Sequence, residues 1–557
     1  MEPDVSFQDQ FQLIDSCHID VSTAQTTDTL ERDLVEKSSN SGMTFSVPYI
    51  YGGKVFYGIK EFVDCAEKDI PDASYGLCKD IRICVRSNTV NAQFVWDHFH
   101  RIEHEQELDY SGALIDNLLN ETCNVIVAAP TTFLRQLYDR QLKQQQQQVQ
   151  LAENTNSTSI SDHSYYNFTK YRFSKLYGRD PLTMVTKDGD YEFGDLVNWV
   201  AQGLLIADLY NITSATADNF NFSYKGDARM FRNVIREVGN FGEIYNRSFS
   251  FCAGSKLSVD RVNIGEGSSN VCPAFIHRQL GGINSYLYDT EGGWLYPFPL
   301  GNLELEGENV LEDTSSRGRQ PPSPNGTLTK ITNSQKLRCG VVGSSGGDGG
   351  RPGFVEWNES SIHGWIGMDV DYCQGLSAAL FDGLSDKNFL DVVYFESLES
   401  SITALQNGTI DVLPGVPYTN ENNLNQNLAF SNVYYYSKGC GSGLGSPLMD
   451  ETIQSNNGGN CDKFAIATRE DDSQWTGFVR LIAMCVLYAE DNQDILQDDY
   501  NKMPLFNMFG DTYKFALRNT IRAIGHYGQM YERNIEVHHP RDTSRNRIVP
   551  KLENEEN

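Results

Sequence analysis

The chain reads as an α/β protein, and three observations carry that reading. Short, β-branched apolar runs of strand length stand at Leu337–Val342, Val392–Phe395, Ile81–Val85 and Asn124–Ala128. Segments of helical period accompany them: Val370–Phe381 after a Gly-x-Asp turn, Ser400–Gln406 and Phe193–Leu209. Hydrophobic residues make up 39% of 557 residues and aromatics 11%, enough to close packed cores in two or more domains. Strands alternating with helices predict a mainly parallel sheet, with any ligand at the carboxyl ends of its strands.

The order of the elements follows from an internal repeat. Phe11-Gln-Leu-Ile-Asp-Ser-Cys-His-Ile-Asp-Val21 is echoed by Ile402-Thr-Ala-Leu-Gln-Asn-Gly-Thr-Ile-Asp-Val412. The run from Leu182 to Phe193 is echoed from Phe464 to Trp475, and Phe231–Arg247 is echoed by Leu517–Arg533. Three blocks in one order predict two copies of one module. The copies are unequal, because about a hundred residues between the blocks of the first have no counterpart in the second. A polar segment at 301–335, containing Gln320-Pro-Pro-Ser-Pro-Asn-Gly326, reads as the linker. Residues 136–165, rich in Gln and then in Ser and Asn, read as a surface insertion, and 538–557 as a polar tail. The expected organisation is therefore 1–300, 301–335, 336–537 and 538–557.

Charge and cysteines bear on the partners. A net charge of −29 leaves no general basic face for nucleic acid, so no nucleic-acid partner is expected. Apolar stretches are too short or too interrupted for a membrane span; Asn198, Gln202 and Asp208 break the longest. Residues 1–20 show no basic start followed by an apolar stretch, so no signal peptide is visible. Twelve cysteines without Cys-x-x-Cys metal spacing leave local disulfides and buried thiols as the alternatives. Cys65/Cys78, Cys252/Cys272 and Cys440/Cys461 are spaced for local bridges. Nine Asn-x-Ser/Thr sequons, among them Asn120, Asn358 and Asn407, add to the expectation of a secreted, glycosylated chain.

The motifs resemble a known family. Leu337-Arg-Cys-Gly-Val-Val, Pro352-Gly-Phe and Gly367-Met-Asp-Val-Asp-Tyr-Cys-Gln374 are similar to the opening of a periplasmic solute-binding protein of the polar amino-acid class. The group most resembled is the general L-amino-acid-binding proteins of bacterial ABC importers. Thr403–Leu413, Val238–Ile244, Gly282-Ile-Asn-Ser and Gly292-Gly-Trp-Leu-Tyr-Pro297 fit the same family. The resemblance implies two tandem, incomplete domains of the type 2 periplasmic-binding-protein fold, each derived from a two-lobed clamp that closes on a free amino acid. The first copy lacks the opening strands of lobe one, and the second lacks nearly all of lobe two.

The resemblance also implies a chemistry. A buried α-amino acid needs a guanidinium for its carboxylate and a carboxylate for its ammonium. The family's arginine aligns with Ala24 in the first copy and Gly415 in the second, and its lobe-two aspartate aligns with Ala129. Both charged anchors are absent at the aligned positions. Thr26 and Thr27 match family threonines beside the carboxylate, and Thr89 matches one residue of the ligand loop. Ser344, Ser345 and Phe354 stand where the family's first ligand loop lies. These six are the candidate contacts for a small-molecule ligand of the amino-acid class. No cofactor is expected, and the membrane transporter or receptor partner is left open. The function implied is a non-catalytic solute-binding-like protein with degenerate ligand binding; the alternative is a structural or receptor-like interaction module.

Competing chemistry is weaker. His100-Arg-Ile-Glu-His104 fits an inverted zinc-protease motif but has no third ligand, and reads as a solvated polar segment. Gly343-Ser-Ser-Gly-Gly347 matches a nucleophile elbow, yet a glycine-rich run follows where a helix is required. Neither a catalytic residue nor a metal ligand is expected. Asp369 reads as a packing or capping residue, and Trp199 and Trp475 as core anchors.

Overall fold

The computed structural model describes residues 10–28, 42–69, 78–86, 89–99, 102, 114–131, 134, 137, 170–209, 211–220, 229–249, 323–343, 351–419, 422–423, 426–437, 463–496, 499–506, 509, 511–541 and 546. The chain divides into two compact units. The first comprises Met1–Tyr49, Thr183–Phe241 and Tyr288–Val549; the second comprises Ile50–Leu182, Gly242–Leu287 and Pro550–Asn557.

The N-terminal elements are α1 (Gln10–Asp15), β1 (Val21–Thr27), β2 (Met43–Phe45), β3 (Ile50–Ile59), α2 (Lys60–Glu67), β4 (Ile83–Val85), α3 (Val90–His98), α4 (Leu114–Leu119), β5 (Val125–Ala128), β6 (Tyr171–Phe173), β7 (Tyr177–Lys187), α5 (Tyr191–Leu209), α6 (Arg229–Val238) and α7 (Phe241–Ser248). The C-terminal elements are α8 (Thr327–Ser334), β8 (Leu337–Val342), β9 (Glu356–Trp357), β10 (Trp365–Ile366), α9 (Met368–Leu380), β11 (Leu390–Phe395), α10 (Leu398–Gln406), β12 (Leu413–Pro417), β13 (Leu428–Phe430), β14 (Tyr435–Tyr436), β15 (Lys463–Arg469), α11 (Ser473–Asp491), α12 (Ala516–Ile524) and α13 (Tyr527–Asn534). Helices α5, α9 and α10 each begin two residues before the start that periodicity suggests. A first turn is set by its cap rather than by apolar spacing. In α10 the cap is Ser397, whose hydroxyl accepts from the Ser400 N–H.

In the first unit, β8 lies parallel to β11 and bridges in parallel to Val412 through Cys339. Strands β12, β13 and β14 pair antiparallel with β15. The core is built on α9 and α11, with Tyr372, Leu376, Phe478 and Ile482 fully buried among Leu517, Ile521 and Tyr527. In the second unit, β4 is parallel to β5, whereas β3 runs antiparallel to β5 and β6 and to the start of β7. Phe56, Val63, Val95 and Val127 fill its core. The expectation of a mainly parallel sheet is thus corrected to mixed sheets. Helical crossovers do keep β8, β11 and β12 parallel. Strands β2 and β3, however, run in one sense with no helical crossover between them, as do β6 and β7, and these two ribbons pair antiparallel.

Among the described residues three disulfides join near neighbours: Cys65–Cys78, Cys84–Cys123 and Cys339–Cys373. The last ties β8 to α9. Cys252, Cys272, Cys440 and Cys461 lie outside the described residues, as do the Gln-rich insertion apart from Leu137 and all but one residue of the His100–His104 motif. Trp199 and Trp475 are both buried, and each indole N–H is satisfied, by Asn423 Oδ1 and the Asp411 carbonyl respectively, both at 2.8 Å. Among the described residues no helix is long and apolar enough to cross a membrane, and no cluster of His, Cys, Asp or Glu suits a metal ion.

The echoed sequences carry the same local geometry. After α1 the Cys17, His18 and Ile19 amides bond back to Ile14, Leu13 and Leu13; after α10 the Gly408, Thr409 and Ile410 amides bond back to Leu405, Ala404 and Ala404. Cys17 and Gly408 both have positive φ. On β2·β7 the pairs are Met43↔Lys187, Thr44↔Thr186 and Phe45↔Val185. On β13·β15 they are Leu428↔Arg469, Ala429↔Thr468 and Phe430↔Ala467. Ser46 and Ser431 follow these strands, and each hydroxyl accepts from an amide of the facing strand, Met184 or Ile466, at 3.0 Å. Helices α5 and α11 are each 19 residues long. The turns after α6 and α12 place Gly239 and Gly525 at φ of 83° and 82°.

Candidate ligand cleft

Gly415, in the middle of β12, meets a compact polar cluster in the first unit. Past β8, the Arg351 amide donates to the Val355 carbonyl at 2.7 Å, and the Phe354 and Val355 amides donate back to Arg351. The Gly353 and Phe354 carbonyls accept from the Met368 and Asp369 amides, so this loop caps α9 with backbone rather than with a side chain. The cap turns Asp369 inward, where it is fully buried.

Asp369 Oδ2 is ion-paired with Arg351 Nη2, and its Oδ1 accepts from the Tyr434 hydroxyl at 2.5 Å. Arg351 Nη1 donates to the Gly415 carbonyl at 3.1 Å. Its guanidinium carbon lies 4.5 Å from the Phe354 ring centroid and 4.7 Å from that of Phe464, so the cation is held between two aromatic faces. Burial pushes the Asp369 carboxyl above its ordinary range, and Arg351 and the Tyr434 hydroxyl pull it back. Gly415 completes the arrangement. Its φ is +78°, and a Cβ there would lie 2.3 Å from both Arg351 Nη2 and Asp369 Oδ2.

Arg351, 64 residues earlier in the chain, fills the space over Gly415. It is already paired. An incoming carboxylate would have to displace Asp369 and leave a fully buried carboxylate alone, which costs about 3–5 kcal/mol. Sequence reasoning missed Arg351 because no spacing rule relates it to 415. The available signal was Gly415 itself, a glycine where the family carries a long side chain.

Four of the six sequence candidates lie among the described residues. Thr26 and Thr27, on β1, are buried; the Thr26 hydroxyl reaches Gln10 Oε1 at 3.3 Å and its carbonyl accepts from Thr183. Asp28, next along the chain, is 1% exposed and ion-paired to Arg480 at 2.5 Å. Thr89 caps α3: its hydroxyl accepts from the Ala92 amide and donates to the Arg86 carbonyl. Phe354 is buried against Arg351, Tyr435 and Phe464. Ser344 and Ser345 lie outside the described residues. Asp369 acts by packing, since Gly367 occupies the cap position of α9.

No family model matches the chain. Among curated proteins it is similar to the general L-amino acid-binding periplasmic protein AapJ of Rhizobium johnstonii (strain DSM 114642 / LMG 32736 / 3841). The two are 25% identical over 283 residues, which cover 46% of this chain and 70% of that protein. Among solved structures it is similar to an ABC transporter periplasmic binding protein from Brucella ovis with glutathione bound, at 19% identity and a TM-score of 0.31, covering 48% of this chain and 75% of that one. It is also similar to the amino acid ABC transporter substrate-binding protein AbpA from Streptococcus pneumoniae bound to L-arginine, at 13% identity and a TM-score of 0.25, covering 43% and 75%. By these comparisons the chain is similar to periplasmic amino-acid-binding proteins.

Proposed function

We propose that this chain is a non-catalytic, solute-binding-like protein built from two incomplete copies of one amino-acid-binding module, and that the cleft of the second copy has lost its free amino acid. The observation that carries the reading is the Arg351–Asp369 pair closed over Gly415: the chain's own carboxylate sits on the guanidinium that a ligand carboxylate requires. The matched registers, turns and helix lengths support the two-copy part. Relatedness to a periplasmic amino-acid-binding protein and three local disulfides support a secretory setting and an amino-acid ancestral ligand.

A second reading, an interaction module, is favoured by one observation. Tyr418, aligned with the ligand threonine Thr27, has its hydroxyl within reach of Asn198 and Gln202 of the first copy, at 3.3 and 3.4 Å, instead of facing a cleft. Thermal unfolding of the full chain with each common amino acid separates ligand binding from its loss. A ligand supplied at ~1,000 times its Kd stabilises by ~4.1 kcal/mol and raises Tm by several degrees. No shift is expected with any of the twenty at about 1 mM; a shift of several degrees with one of them would overturn the reading.

A further inference from the structure

We infer that the two copies meet across an approximately two-fold, self-complementary interface, so that the surface formed by the end of β12 and the first half of α11 is a docking site for a second copy of the same module. The inference rests on the two-copy reading and not on the loss of ligand.

Reciprocity carries it. Asn198 and Arg480 are each the eighth residue of their 19-residue helices, α5 and α11. Each reaches the residue after the matched serine of its own copy: Asn198 Oδ1 accepts from the Val47 amide, and Arg480 Nε donates to Asn432 Oδ1. Each also reaches the residue following the matched strand of the other copy. Asn198 Nδ2 donates to the Tyr418 hydroxyl just past β12, and Arg480 Nη2 donates to Asp28 just past β1. Asn198 and Arg480 correspond, and their partners in the other copy, Tyr418 and Asp28, lie one position apart in the echoed sequences, so the contact is approximately isologous. Around them, Trp199 donates to Asn423 and stacks on Tyr418, and the Ser473 hydroxyl donates to Asp188 at 3.0 Å.

The chemistry fits recognition between copies. Asp28 is 1% exposed, and the Arg480 side chain 12%. Removing either partner of so buried an ion pair is costly. The partner that fits is thus a copy presenting a carboxylate after its β1-type strand.

The test uses the full chain with a protease site inserted between residues 301 and 322. After cleavage, with enough reductant to open any accessible bridge between fragments, the two pieces are expected to co-elute with the mass of the whole chain at micromolar concentration. Asp28→Arg is expected to separate them, and Asp28→Arg with Arg480→Asp to restore co-elution. If Asp28→Arg does not fold, Asn423→Ala, which removes the Trp199 contact, is expected to weaken reassociation about ten-fold. Separation of the unaltered pieces, or association unaffected by either substitution, would overturn the inference. Neither result depends on amino-acid binding, which the thermal assay reads separately.

Discussion

At the residue scale, Gly415 is a strongly constrained position of the cleft. Two effects act together: a positive φ that disfavours any Cβ, and two charged atoms where the Cβ would go. Gly415→Ala is expected to destabilise by about 2–4 kcal/mol in denaturant unfolding, combining backbone strain with overpacking. Gly383→Ala is the control. It also has positive φ, at 89°, but nothing lies within 4 Å of its Cβ position. Its expected cost is about 1 kcal/mol, from the backbone alone. Equal losses at the two sites would mean that the Arg351–Asp369 pair does not fill the space over Gly415.

His363 gives a pH dependence at the same scale. Burial lowers its pKa, against the hydrogen bond of its Nε2 to the Ser385 carbonyl, and nearby Lys387 lowers it further. The unfolded histidine, near 6.5, therefore binds a proton before the folded one does. Its contribution is fully present above about pH 6.5 and is lost as pH falls through the folded value. Urea unfolding at pH 7.5 and 5.5 should show a smaller acid-induced loss in His363→Gln than in the parent chain; an identical loss would remove His363 from the account.

At the element scale, what was legible followed periodicity. Strand β8 has the bounds read from Leu337–Val342, because a β-branched run between a helix end and a glycine has few alternatives. Helices α5, α9 and α10 were legible except for their first turns, where capping outranks apolar spacing. The sense of β3 and of β7 was not, because alternation with helices says nothing about strands that pair across more than a hundred residues of intervening chain. The cleft was legible only as an absence at Gly415. Arg351 fills it through a loop contact, and sequence separation carries no information about such a contact. The link between β8 and α9 can be tested directly. Replacing Cys339 and Cys373 by Ala should cost about 2–4 kcal/mol, since the bridge restrains the unfolded chain over a loop of this length. A loss below ~1 kcal/mol by calorimetry would show that packing around α9 alone fixes it to β8.

At the scale of the whole molecule, the account joins two facts. The C-terminal set closes its own Arg351–Asp369 ion pair over Gly415, and Asp28 and Tyr418 are engaged between the two sets. Both direct binding energy inward, from a solute to the chain itself. A ligand would have to repay about 3–5 kcal/mol for stranding Asp369 before any net affinity appeared. Calorimetric titration of the full chain with the twenty common amino acids tests this most directly. The account predicts no saturable heat corresponding to a Kd tighter than about 1 mM, roughly −4 kcal/mol. Micromolar, saturable binding of any one of them would contradict it.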